Sequence, residues 1–170
     1  YLSFSEPANQ SRVNEISAAI LTLYSNPNSF NQILSILSDK QTINSSIRLY
    51  AAVGLHKVIS LHCEEILSDE QGFALLGQVL RILSEEDDIK ITRNIVFALT
   101  PIFNQTGDSW NDLNMLIDNL LKFQDVNKLI TVIEILSEYL KYVSSEFLLE
   151  ILPNIFPIIE RALDSNNIDL

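Results

Sequence analysis

Leucine and isoleucine recur at helical spacing in four segments of the chain, and each segment begins with an aromatic residue. The leading aromatics are Phe30, Phe73, Trp110 and Phe147. Apolar residues follow each of them at the three- and four-residue spacing of one helix face. The aromatics lie 43, 37 and 37 positions apart, and a period of about 40 residues is typical of HEAT or armadillo repeats. The pattern therefore predicts one helical unit repeated four times, with Trp110 as a core anchor.

Further amphipathic segments lie before and between these four and complete the helix pairs. We predict the inner helix of each pair at residues 10–24, 43–62, 88–104 and 126–143. We predict the outer helix at residues 28–38, 68–84, 109–122 and 145–163. No segment shows strand alternation, and 4 Gly and 5 Pro are too few for the frequent turns of an all-β fold. Residues 1–170 are expected to form one all-α unit, an α-solenoid of about eight helices in antiparallel pairs.

The charge balance narrows the range of functions. The chain has 22 acidic and 11 basic residues and a formal net charge of −11, and the basic residues form no run. Nucleic acids require a basic surface, so we expect no direct contact with them. No apolar stretch reaches the roughly 20 residues of a membrane span, so no membrane insertion is expected. A single cysteine, Cys63, cannot form an internal disulfide.

Catalytic residues are scarce. The two histidines are His56 and His62, and the second adjoins Cys63. Neighbours on a helix point about 100° apart, and His56 lies two turns from the thiol, so neither pair forms a Cys-His dyad. We expect no enzyme activity, no cofactor and no metal, with Cys63 an ordinary thiol.

The densest charge is the run Glu85, Glu86, Asp87 and Asp88. Two interpretations stay open at this stage. The run forms an inter-helix turn in which Asp87 or Asp88 caps the next helix, or it contacts a basic patch on a partner protein.

A family resemblance rests on residues 26–30, 33–37 and 47–59, which contain Asn-Pro, a Phe, a Leu/Ile run and Ile-Arg-x-x-Ala-Ala. Residues 91–102 and the Trp-Asn-Asp-Leu of 110–113 extend it. Together these motifs resemble the N-terminal domain of importin-β-type nuclear transport receptors (karyopherins), which consist of HEAT repeats. The chain departs from the family pattern at His56-Lys57, where Lys-Asn is common, and at His62-Cys63, where a Trp is common.

The resemblance implies a function in nucleocytoplasmic protein transport. The first inner helices of the family bind the GTP form of the small GTPase Ran on their concave face. Cargo proteins and nucleoporins are bound by the rest of a longer chain, of which this segment would lie near the start. The implied location is the cytoplasm, the nucleus and the nuclear envelope, whereas import and export are not distinguished.

The expected Ran-binding residues form one strip on each of two inner helices. The strip on residues 43–62 lies beside a core stripe of Ile47, Ala51, Leu55 and Val58. The candidate binding residues are Arg48, Ala52, His56, Lys57, Arg93, Asn94 and Phe97.

Two alternatives remain for this strip. Arg48 or Arg93, near the starts of their helices, could instead form an ion pair with an acid of the adjacent repeat. The whole chain could equally be a HEAT-repeat scaffold or adaptor in a protein complex without a GTPase partner.

Overall fold

The structure, a computed structural model, describes residues 22, 24–26, 28–122 and 125–164. Throughout these residues the regular elements are helices, so the predicted all-α fold is confirmed. The helices are α1 Asn28–Ser38, α2 Ser45–Ser68, α3 Glu70–Glu85, α4 Ile89–Ala98, α5 Thr100–Thr106, α6 Asn111–Lys122, α7 Val126–Tyr139 and α8 Ser145–Asp164. The helix predicted at residues 10–24 lies almost entirely outside the described residues.

Polar residues in the turns begin the helices that follow them. The side chains of Asn44, Asp88 and Asp125 accept hydrogen bonds from backbone N–H groups in the first turns of α2, α4 and α7. Such caps satisfy N–H groups that have no partner within the helix. Capping therefore explains why these helices begin close to their predicted positions, and it confirms the capping interpretation for Asp88.

Three inner helices differ from their predicted extent. The helix predicted at residues 126–143 ends at Tyr139. The helix predicted at residues 88–104 is broken at Leu99 into α4 and α5, because Pro101 follows and cannot continue the hydrogen-bond ladder. In the other direction, α2 runs beyond residue 62 to Ser68, with a kink at His62 (φ −119°, ψ 17°).

The connection from α2 to α3 is a single residue, Asp69. The two helices approach so closely there that a methyl group at Gly72 would overlap the backbone of Ile66. A residue without a side chain is needed at this position.

The helices pack in two rows. The first row contains α1, α3 and α6, and the second contains α2, α4 and α7; neighbours within each row are in contact, most extensively α2 with α4. Contacts also join the rows, between α1 and α2 and between α6 and α7. Two rows of stacked helices are what a solenoid of helix pairs requires, and a solenoid curvature stays a prediction.

The core between the rows is apolar and partly aromatic. Trp110 is 4% exposed and lies with its ring centroid 5.9 Å from that of Phe103, so its predicted role as a core anchor is confirmed. Phe30 is also buried and Phe147 half-buried. Phe73, in contrast, is 47% exposed, although Leu76, Leu80 and Leu83 of the stripe that it begins are buried as predicted.

The buried face of α2 is rotated from the predicted one. Ala51, Leu55 and Val58 are buried as predicted, but Ile47 is 50% exposed, so its assignment to the core is wrong. Apolar residues occur on all sides of α2, and the stripe alone does not define which side faces the neighbouring helices. The side that is buried includes Arg48.

Candidate partner-binding face

An exposed surface of the second row carries basic and aromatic side chains. It contains Lys57 of α2 and Lys90, Arg93 and Phe97 of α4, all exposed, together with the half-buried His56. We call these five residues the basic strip. Three of the 11 basic residues of an otherwise acidic chain lie here, so the strip differs in charge from the chain as a whole.

An aromatic contact connects the two helices of the strip. The rings of His56 and Phe97 are tilted by 34° with centroids 4.5 Å apart, within the range of favourable aromatic pairs. Phe97 remains 51% exposed. The contact therefore fixes an apolar ring at the surface, one turn after Arg93 on α4 and beside the residue that precedes Lys57 on α2.

His56 is held in its neutral form. Burial, and secondarily the positive charge of Lys57, lowers the pKa of His56 below its ordinary value. Its Nδ1 atom is buried and has no hydrogen-bond partner in the described part of the chain. A proton added to this ring would be poorly compensated, so His56 contributes no charge to the strip at neutral pH.

Arg93 is oriented by an acid of the next helix in its row. Its Nε atom lies 2.8 Å from Oε1 of Glu134 in α7. The side chain of Arg93 is nevertheless 63% exposed, so much of it remains open to a partner. Asn94 is half-buried, and its Nδ2 donates a hydrogen bond to the backbone oxygen of Lys90 one turn earlier.

Two of the predicted binding residues lie inside the protein. Arg48 is 5% exposed and Ala52 is fully buried, so neither side chain reaches a partner, and both leave the candidate set. The guanidinium of Arg48 forms an ion pair with Glu86, and its Nε donates to the backbone oxygen of Leu37 at 3.0 Å. The alternative of an ion pair to an acid in the adjacent repeat is confirmed.

The acidic run at residues 85–88 forms hydrogen bonds and ion pairs with other parts of the protein. Glu86 is 2% exposed; besides Arg48 it accepts the backbone N–H groups of Asp87 and Asp88, each at 3.0 Å. The carboxylate of Asp87 lies 3.3 Å from Lys40 and 3.7 Å from Lys128.

Further contacts hold the same run. Glu85, the last residue of α3, is exposed, and its backbone oxygen accepts a hydrogen bond from Lys40. The run therefore connects the turn before α2 with the start of α7, and three of its four carboxylates have partners within the chain.

A polar cleft of about 360 Å³ lies between α5 and the kinked part of α2. His62 and Cys63 line it. The ring of His62 contacts Glu65 at 2.9 Å and the backbone oxygen of Tyr24 at 3.2 Å. Burial, together with the nearby Glu64, raises the pKa of the Cys63 thiol. A thiol that stays protonated is a poor nucleophile, so the cleft contains no activated cysteine.

Two residues of this surface, Lys90 and Glu134, were not identified from the sequence. Lys90 is three positions before Arg93, so the helical spacing could have placed both on one face. Glu134 is 41 positions from Arg93, and no local pattern connects the two.

Comparison with protein-family models, curated proteins and solved structures gives no match in any of the three. Among the described residues, no group of three or more His, Cys, Asp or Glu side chains is placed to hold a metal ion. None of the described helices combines the length and the apolar character needed to cross a lipid bilayer.

Proposed function

We propose that this chain is a protein-binding module that uses the basic strip to contact an acidic surface of its partner. The observation that carries the proposal is the concentration of Lys57, Lys90 and Arg93 around an exposed aromatic ring in a chain of net charge −11. Complementary charge accelerates association and selects partners, and an aromatic ring within the patch is a typical anchor residue.

The partner we propose is the small GTPase Ran in its GTP form, and the chain is then the N-terminal part of a nuclear transport receptor. The motif resemblance supports this choice. In this proposal the second row has the role of the inner helices that bind Ran in the family. Cargo proteins and nucleoporins would contact other parts of a longer chain, and the protein would act in the cytoplasm, the nucleus and at the nuclear envelope.

No enzymatic role and no cofactor are proposed. The raised pKa of the Cys63 thiol supports this choice, as does the contact of His62 with Glu65 rather than with a nucleophile.

A binding measurement with Ran loaded with GTP or with GDP tests the partner. We expect binding to the GTP form and weak or no binding to the GDP form. Equal affinity for the two forms, or no binding to either, would exclude the receptor function.

Charge reversal tests the surface. Lys57→Glu and Arg93→Glu should each weaken binding by roughly tenfold, a loss on the order of 1.4 kcal/mol, because each places a like charge against an acidic partner. The losses should be largest at low salt, where screening is weakest. Lys122→Glu makes the same charge change on α6 of the first row. If Lys122→Glu weakens binding as much as the other two, the strip is not the binding surface.

A HEAT-repeat scaffold without a GTPase partner is the second candidate, and Arg48 favours it. In the Ile-Arg-x-x-Ala-Ala motif, Arg48 binds Glu86 and Ala52 is buried. Packing between repeats is therefore enough to explain why Arg48 and Ala52 occur in this motif, and no GTPase partner is needed to explain them. If Ran does not bind, the basic strip remains a surface for another acidic protein.

A further inference from the structure

An apolar groove of about 230 Å³ lies between α6, α7 and α8, on residues that the proposed function does not use. Its walls and floor are formed by large apolar side chains from all three helices. They are Ile117, Leu121, Leu136, Phe147, Ile151 and Ile155.

The polar group of Tyr139, which also lines the groove, is already hydrogen-bonded within the protein. Tyr139 is fully buried, and its hydroxyl donates to the backbone oxygen of Gly107 at 2.9 Å and lies 3.3 Å from Oδ1 of Asn114. The hydroxyl group is therefore satisfied inside the protein. What the groove offers to a ligand is apolar surface.

Two acids flank this surface. Asp118 of α6 and Glu150 of α8 line the groove on two different walls and are exposed. Neither forms an ion pair or a side-chain hydrogen bond with the described residues. An apolar groove with an exposed carboxylate on each of two walls is complementary to an apolar side chain that has positive charges on both sides.

We propose that this groove binds a peptide segment of a partner protein in which one or two large apolar side chains are flanked by Lys or Arg. The apolar side chains enter the groove and displace water from it. The flanking cations lie near Asp118 and Glu150 at the rim, where they add association rate and selectivity. A second copy of this chain is a poor occupant, because each copy carries a net charge of −11.

Synthetic peptides test both requirements. The probe is a fluorescein-labelled peptide with a Phe-Leu pair flanked on each side by two lysines. One matched peptide has glutamates in place of the lysines, and the other has Ser-Ser in place of Phe-Leu. Fluorescence anisotropy should show binding of the probe only, and equal binding of the Ser-Ser peptide would overturn the proposal by showing that charge alone is responsible.

Charge reversal in the protein locates the site. The double variant with Asp118→Lys and Glu150→Lys should weaken binding of the probe by roughly tenfold, since two attractive exposed charge pairs become repulsive. The matched control makes the same changes at Glu64 and Glu70, which are exposed on α2 and α3. Circular dichroism should show all variants folded.

Three results would overturn the proposal. One is an equal loss of affinity in the control, which would show nonspecific attraction to an acidic protein. Another is unchanged affinity in the double variant. The third is a dimer, seen by sedimentation, that the double variant alters, because a second copy would then occupy the groove. Lys57→Glu should leave probe binding unchanged, so this test is independent of the basic strip.

Discussion

The two acidic regions of the molecule differ in what surrounds their carboxylates. In the turn at residues 85–88, Glu86 pairs with Arg48, Asp87 with two lysines, and Asp88 caps α4. At the groove, Asp118 and Glu150 have no such partner among the described residues. The turn has the densest charge in the sequence, and the groove has only isolated acids. Acids with a structural role are those whose charge has a partner in the folded protein, and acids open to a binding partner are those without one. The density of acids along the chain does not distinguish the two.

Because the acids of the two regions differ in burial, loss of a charge partner should affect the free energy of unfolding differently in each. The side chains of Arg48 and Glu86 are 6% and 2% exposed, so neither charge has water to solvate it if the other is lost. The exposed acids of the groove are solvated already. A charge in low dielectric needs its partner far more than a charge in water does.

The largest effect is expected at the buried pair. Glu86→Gln should lower the free energy of unfolding by about 3–5 kcal/mol, because Arg48 is left as an uncompensated buried charge. Urea denaturation followed by circular dichroism measures it. The control is Glu85→Gln, which changes the exposed residue next to Glu86. It should change the free energy of unfolding by no more than about 0.5 kcal/mol. A similar loss in both variants would mean that the Arg48–Glu86 pair is not buried in solution.

An intermediate effect is expected at the helix cap. Asp88→Ala should cost about 1 kcal/mol, because the backbone N–H of Lys90 loses its acceptor. The same denaturation experiment applies, with Asp112→Ala as a matched loss of an exposed acid from the first turn of α6. If both cost the same, the loss reflects helix charge and not the capping hydrogen bond.

Removing the groove acids should have a small effect. Asp118→Asn and Glu150→Gln should each change the free energy of unfolding by no more than about 0.5 kcal/mol, since exposed acids without partners stabilise little. Thermal denaturation at low and high salt is a suitable measurement. A loss above about 1 kcal/mol in either variant would show that the acid has a structural partner, and the contrast between the two regions would disappear.

The smallest effect is expected at His56, a neutral ring whose buried Nδ1 has no hydrogen-bond partner among the described residues. Its pKa in the folded protein is lowered from about 6.5 in the unfolded chain, so the unfolded state binds its proton first. The stability that the neutral His56 ring contributes is therefore complete above a pH of about 6.5. It is lost as the pH falls below this value, because the unfolded state takes up the proton first. Thermal denaturation between neutral and mildly acidic pH should show a smaller loss of stability for His56→Phe than for the unmodified protein. Identical pH profiles would contradict the lowered pKa.

Helix positions follow from local pattern. The spacing of apolar residues predicts α1 and α6 closely, and Pro101 marks the region where the helix breaks at Leu99. The capping carboxylate of Asp88 and the missing N–H group of Pro101 each act within one or two turns along the chain. Such effects require no knowledge of the neighbouring helices, which is why the chain alone reveals them.

The buried side of a helix is harder to predict from the sequence than its position along the chain. On α2, Ile47 is exposed and Arg48 is buried, opposite to what the stripe predicts. Apolar residues surround this helix, so several rotations bury a similar apolar area. The rotation found also brings Arg48 to Glu86, and that contact depends on how α2 packs beside the end of α3.

The partners of the charges lie far apart along the chain. Arg48 and Glu86 are separated by 38 positions, and Arg93 and Glu134 by 41. Helical periodicity is a property of a few neighbouring residues, and it places each charge on a face of its own helix. Whether that face meets an opposite charge, a groove or solvent depends on the rotation and spacing of the helices, which the packing of the whole core decides. The acids of the turn and of the groove are thus alike in residue type, and only the packed molecule shows that the first have partners within the described residues and the second do not.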